Sequence, residues 1–246
     1  MMNYDIYKMS LFEYAYYGIV YLILEGVVAY VFYDSVYFFV VAIIGILLFY
    51  RYVKKVLASK RRIEVKKQFQ SVIDSVASSL VAGYSVENAF LESKKDMVRL
   101  YGSKSFIVKE LEYFFQKMDV GNSLESVLAD FAGRVKVDDI TDFADIFVIA
   151  KRNGGNFNSI IGRTVRIMKE KDDTDREIEV LLAGKRYEQR IMNIIPVLII
   201  IYLRISSDGY LDILYHNIFG ICIMTLCLTI YVLSIAISKH LINIHV

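Results

Sequence analysis

The stretch Gly83-Tyr84-Ser85-Val86-Glu87-Asn88-Ala89-Phe90 reads as the end of one helix and the start of the next. Glycine reaches the left-handed conformation that closes a helix, and a serine two positions later can accept hydrogen bonds from the free amides of the following helix. The pattern recurs. Gly121-Asn122-Ser123-Leu124-Glu125-Ser126-Val127-Leu128 begins 38 residues further on, and Gly154-Gly155-Asn156-Phe157-Asn158-Ser159-Ile160-Ile161 another 33. In each, a Gly, a spacer and a Ser or Asn precede an apolar residue, with two more apolar residues at the next helical turn. Glu87 and Glu125 place negative charge in the first turn, where the helix dipole favours it.

Between these turns the apolar residues keep helical spacing. Phe69, Val72, Ile73, Val76 and Leu80 form one stripe, Leu111, Phe114, Phe115 and Met118 a second, and Ile140, Phe143, Phe147 and Ile149 to Ala150 a third. Helices joined by tight turns pack as antiparallel hairpins, so residues 51–190 are expected to form a helical bundle. A last helix from about Asn156 to Arg190, charged from Lys169 to Glu179, is expected to run straight into the apolar sequence after it.

Outside the bundle the composition changes. The chain of 246 residues is 56% hydrophobic with a mean hydropathy of +0.42, above a typical soluble protein. One proline and no tryptophan stand beside 19 Tyr and 15 Phe, which favours long uninterrupted helices. A membrane span needs roughly 20 apolar residues, so the run from Ala15 to Tyr50 fits two short spans turning near Asp34 and Ser35. It has no small-residue cleavage site, and no removal of a leader is expected. A second pair is read from Ile191 to Ile205 and from Ile218 to Ile237, with a polar break at Ser206, Ser207, Asp208 and Gly209. The third span is the shortest, contains Pro196 and carries Arg204 near its end, where the long side chain can reach the headgroups. The expected architecture is all-α: a transmembrane hairpin in residues 1–50, a bundle in 51–190 and a second hairpin in 191–246.

All but three of the 29 Lys and Arg (Lys8, Arg204 and Lys239) lie between Arg51 and Arg190, and they crowd both membrane exits. Cytoplasmic flanks carry that excess, so the bundle and both termini are expected inside the cell. Catalytic patterns are missing: there is no phosphate-binding Gly-x-x-x-x-Gly-Lys loop, no His-Glu-x-x-His and no Ser/His/Asp set. His216, His240 and His245 all lie at or beyond the final span. No enzyme activity and no cofactor are expected. Cys222 and Cys227 lack metal-ligand spacing and read as packing residues. Asp138, Asp139, Asp142 and Asp145 could in principle hold a divalent cation. They read instead as a helix start and its solvated face, and no metal is assigned.

The recurring Gly-x-Ser-apolar turns, the Asn-Gly-Gly-Asn-Phe turn at 153–157 and the charged helix leading into a proline-containing span together resemble the type II secretion system F domain. With one such domain between two pairs of spans, the chain is similar to the TadB/TadC family of tight-adherence (Flp) pilus platform proteins. The resemblance covers roughly Lys66 to Ile237, with the first hairpin agreeing in topology only. It implies an oligomer in the inner membrane, embedded in lipid. Its implied partners are a hexameric cytoplasmic secretion ATPase, a second F-domain platform protein and pilin subunits, with no nucleic acid involved. Family members couple the ATPase to extraction and stacking of pilin and hydrolyse nothing themselves.

Gly83, Ser85, Gly121, Ser123, Gly154, Gly155 and Asn156 are the structural turn residues. Glu25 falls mid-span, where an ionisable group is costly and points to a function or an internal partner, with an interfacial position as the alternative. Pro196 breaks the backbone ladder of its span and allows a bend or a packing kink. These two are candidate contacts for pilin or another membrane helix. Lys94, Lys95, Arg99, Lys169, Glu170 and Lys171 are candidates for an ATPase-facing surface, against the plainer reading of solvated charge. The rival function is a membrane-anchored helical signalling or receptor module, which the short external turns leave little room to serve.

Overall fold

The computed structural model describes residues 4, 7, 9–34, 39–153, 157–206, 209, 212–215 and 217–242. Helix α1 (Leu11–Val28) passes into a π-helical stretch, Ala29–Tyr33, and stops at Asp34, whose φ is +44°. There follow α2 (Phe39–Val81), α3 (Val86–Tyr101), α4 (Phe106–Asp119), α5 (Leu124–Val135), α6 (Asp138–Asn153), α7 (Phe157–Ser206), α8 (Asp212–Tyr215) and α9 (Ile218–Ile242). No strand occurs among the described residues. The contacts divide the chain into two compact units, Met1–Lys8 with Val53–Thr174, and Met9–Tyr52 with Asp175–Val246.

The first unit is a bundle whose core is threaded by aromatic rings. Phe114 of α4 meets Phe131 of α5 at 5.5 Å, Phe131 meets Phe69 of α2 at 5.7 Å, and Phe69 meets Phe143 of α6 at 5.5 Å. Phe143 then meets Phe147, which touches both Phe90 of α3 and Phe157 of α7. One chain of rings thus joins all six helices, mostly in edge-to-face or tilted pairs that suit the ring quadrupoles. Around it lie the expected stripes. Phe69, Val72, Ile73, Val76 and Leu80 are all buried, as are Leu111 and Phe114, with Phe115 and Met118 half-buried against them. In α6 the buried set is Ile140, Phe143, Phe147 and Ala150, whereas Ile149 is 58% exposed. A helix turns about 100° per residue, so Ile149 and Ala150 cannot share the inner face.

In the second unit, α1 and the start of α2 pack through reciprocal glycine and tyrosine contacts. Tyr50 lies over Gly18, where an added Cβ would sit 2.7 Å from its hydroxyl, and Tyr21 lies over Gly45. The Tyr50 hydroxyl donates to the Tyr14 carbonyl at 2.9 Å. Glycines at both crossing points let the helices approach closely, a packing device common in membranes. The later part of α7 runs antiparallel to α9: Gln189 donates to Ser238 at 2.7 Å, and Tyr231 donates to the Asn193 carbonyl. A smaller core gathers Val31, Phe32, Tyr33, Tyr215 and Met224.

Among the described residues, three helices are long and apolar enough to cross a membrane: Leu11–Tyr33, Phe157–Ser206 and Ile218–Leu241. Their outer faces leave large apolar side chains such as Ile23, Leu198, Phe219 and Ile230 exposed, which water would penalise and lipid would not. The expected fourth span, at the start of α2, does not reach that length among the described residues. Phe39 to Tyr50 provide about 18 Å of helix before Arg51, against a hydrocarbon core about 30 Å thick.

Candidate functional site

The turns are built twice over on one plan. Gly83, at φ +90°, donates its N–H to the Leu80 carbonyl at 3.1 Å, and Tyr84 donates to Ser79 at 3.1 Å. Gly121, at φ +92°, donates to Met118 at 2.9 Å, and Asn122 to Lys117 at 3.1 Å. Both are the paired closure of a Schellman motif, in which a left-handed residue lets two amides fold back onto the last carbonyls. An added Cβ at either glycine meets nothing within 4 Å, so the backbone angle and not crowding selects glycine. Ser85 then caps α3 by accepting from the Asn88 amide at 3.4 Å, and Ser123 caps α5 by accepting from the Ser126 amide at 3.3 Å. Gly154, Gly155 and Asn156 of the third turn lie outside the described residues.

Side chains bring these turns to one end of the bundle. Lys151, in the last turn of α6, sits 3.5 Å from Glu87 and 3.1 Å from Glu125, the first-turn acids of α3 and α5. Burial pushes the Glu125 carboxyl up, but its own backbone amide and Lys151 outweigh that and hold it below the usual range. Asn158, near the start of α7, donates to the Leu80 carbonyl at the end of α2 at 3.5 Å. Val81, Tyr84 and Val120 are exposed at this end.

Two ionic clusters inside the first unit have no local sequence signature. The fully buried Tyr4 donates to Glu110 Oε1 at 2.8 Å, and Arg134 holds both carboxylate oxygens of Glu110, at 2.9 and 2.7 Å. Arg134 Nε also donates to Asp130 at 3.0 Å. Burial and the Glu110 charge push the Tyr4 phenol up, so it remains a donor at any ordinary pH. Nearby, Tyr7 lies under the Arg61 guanidinium at 4.9 Å. The second cluster is Asp139, gripped by Lys66 and Lys171 at 2.6 Å each. Burial alone would raise its carboxyl, but the two lysines hold it below the usual range.

The six candidate surface residues divide between two helices with different neighbours. On α3, Lys94 faces α4 at Glu112, Lys95 pairs with Glu92 of its own helix, and Arg99 lies 3.8 Å from Asp96. On α7, Lys171 is committed to Asp139, while Lys169 acts on Asp74 of α2; burial raises that carboxyl and the lysine only partly offsets it. Glu170 lines an open groove between α2 and α7. Helix α2 touches both sets' helices, α3 through Ser75 and Asp96 and α7 through the Leu80 carbonyl and Asn158. Asp138, Asp142 and Asp145 are exposed on α6, and no metal-binding group of three or more such side chains forms among the described residues.

In the second unit, Glu25 is half-buried on α1 and takes a hydrogen bond from Tyr21, one turn earlier. That satisfies part of the carboxylate and leaves it within the apolar helix. Pro196 lies inside α7, which continues through it to Ser206, so the helix accommodates the missing donor without ending. Arg204 pairs with Asp34 and donates to the Tyr30 carbonyl, with the Tyr30 ring 3.8 Å beneath it. Tyr215 donates to the Val31 carbonyl at 2.8 Å, and the Tyr33 and Thr225 hydroxyls are 3.0 Å apart. The π-helical end of α1 thereby meets the ends of α7 and α8 in a polar knot.

These features define an all-helical membrane protein made of an aromatic-cored bundle and a set of apolar helices. No protein-family model, curated protein or solved structure matches the chain.

Proposed function

We propose that the chain is an inner-membrane platform protein of the tight-adherence (Flp) pilus type, which couples a cytoplasmic secretion ATPase to pilin extraction and assembly. The observation that carries this reading is α7. One helix holds Ile161 and Val165 in the bundle core and continues unbroken into the apolar segment from Ile191. A helix is stiff along its axis, so a displacement imposed on the bundle is passed to residues bearing the lipid-facing surface. The repeated Schellman turns, whose first-turn glutamates both pair with Lys151 at one end of the bundle, agree with the same reading, in which the bundle is the part a motor acts on.

Tyr4 supports a four-span topology. It belongs to the core of the first unit, as this topology requires of a residue that precedes α1 on the bundle's side of the membrane. The chain between Lys8 and Val53 then crosses an even number of times. If α1 crosses, the start of α2 must cross back, with Arg51, Lys54 and Lys55 at the cytoplasmic edge. Its short apolar length is met by local thinning of the bilayer or by snorkelling of these basic chains.

Deletion of the gene is expected to abolish surface pili while the purified ATPase keeps its hydrolytic rate. Normal piliation in the deletion strain, or an altered response to a chemical stimulus with pili intact, overturns the proposal and favours the signalling reading.

A further inference from the structure

Along one side of the first unit, α2 and α7 leave an open groove of about 930 Å³. Small residues, Ala77, Ser78, Ser159 and Gly162, are among those that line it, and small side chains allow another backbone to come close. Val81 and Ile167 add apolar lining, and both are exposed. Arg163 and Arg166 line it as well, exposed and without an ion pair among the described residues. Other basic residues of this unit are held by acids: Arg134 takes Glu110, Lys151 takes two glutamates, and Lys66 and Lys171 share Asp139, whereas Lys67, Lys109 and Arg152, like the two groove arginines, have no ion pair among the described residues.

The matching surface is on α6. Asp138, Asp142, Asp145 and Ile149 follow one another along a single helical stripe, and all four are exposed. None of the three carboxylates has an ion pair among the described residues. The stripe cannot reach the groove of its own bundle, because Phe143, Phe147 and Ala150 fix the opposite face of α6 in the core.

We infer that the acidic stripe of α6 docks in the α2/α7 groove of a second copy of this chain. With two arginines against the single acid Glu170, the groove is net basic, and its small and apolar lining residues accept a helix that is acidic along most of its length and apolar at one end. Both surfaces sit on the same chain and carry opposite, unpaired charge, and copies confined to one membrane meet at raised effective concentration.

The test uses the full-length protein in lipid nanodiscs or detergent, with self-association read by single-particle mass and sedimentation. Two variants are made, the groove reversal Arg163→Glu with Arg166→Glu and the stripe reversal Asp142→Lys with Asp145→Lys. Each alone is expected to self-associate on the order of tenfold more weakly than the parent. Mixed together they are expected to recover association, because groove and stripe are again opposite in charge across every contact between unlike copies. Raising the salt weakens both the parent and the mixture, by screening. Recovery cannot come from two misfolded proteins, so the mixture stays informative even if one variant is destabilised. A parent that remains monomeric, reversals that leave its association unchanged, or a mixture no tighter than either variant alone overturns the inference.

Discussion

Replacing Tyr4 by alanine tests the contact on which the placement of the N-terminus depends. The side chain is fully buried in the bundle core and donates to Glu110, which is itself buried. Truncating an enclosed aromatic costs about 3–5 kcal/mol. Because Arg134 still holds both oxygens of Glu110, no charge is stranded, and the expected loss is about 3 kcal/mol, the low end of that range. Tyr4→Phe keeps the ring and removes one hydrogen bond to a charged group. Because Arg134 still holds both oxygens of Glu110, that loss is expected near about 1.5 kcal/mol. Native-state hydrogen exchange of the α4 and α5 amides in the intact protein reads both values. The alanine variant should speed their slowest exchange on the order of a hundredfold, and the phenylalanine variant about tenfold. If alanine changes it less than about threefold, Tyr4 is not seated in the core, and the same-side argument for an even number of crossings falls with it.

Arg134→Leu should be more damaging than Tyr4→Phe, with a total loss of about 3–5 kcal/mol, because it strands the Glu110 charge; adding Glu110→Gln should recover part of the loss in thermal unfolding. Gly121→Ala should cost about 1 kcal/mol from the positive φ, and Ser123→Ala about 1 kcal/mol from the lost cap; both are measurable as lowered melting temperatures with the oligomeric state unchanged. Asp139 has a folded pKa below its unfolded value, so its pairs stabilise the bundle above about pH 4 and that contribution disappears as pH falls through the folded value. Asp139→Asn should therefore be less stable than the parent at neutral pH, with the gap closing on acidification; a gap that stays constant down to about pH 2 would refute the assignment. Asp74, whose carboxyl burial raises, works in the opposite direction in both proteins and cancels from that comparison.

The sequence by itself determined what depends on neighbours a few residues away. A left-handed glycine followed by a capping serine is a local event, and Gly83 with Ser85 and Gly121 with Ser123 were legible because every bond they make falls within five residues. The core stripes of α2, α4 and α6 followed from helical period, with Ile149 misplaced only because it adjoins Ala150. The membrane character of α1, α7 and α9 followed from composition, since lipid-facing surface is apolar wherever the partners lie. The tertiary structure decided everything that joins distant residues. Tyr4 finds Glu110 across 106 positions, Arg204 finds Asp34 across 170, and Lys151 gathers glutamates from two turns. No local pattern encodes such pairs, because a buried charge is tolerated only where the fold brings its counter-charge. The same holds for the groove between α2 and α7. Arg163 and Arg166 read in sequence as two more charges on a polar helix, and only the fold sets them, with Glu170, along a groove beside small residues, where neither arginine has an ion pair among the described residues.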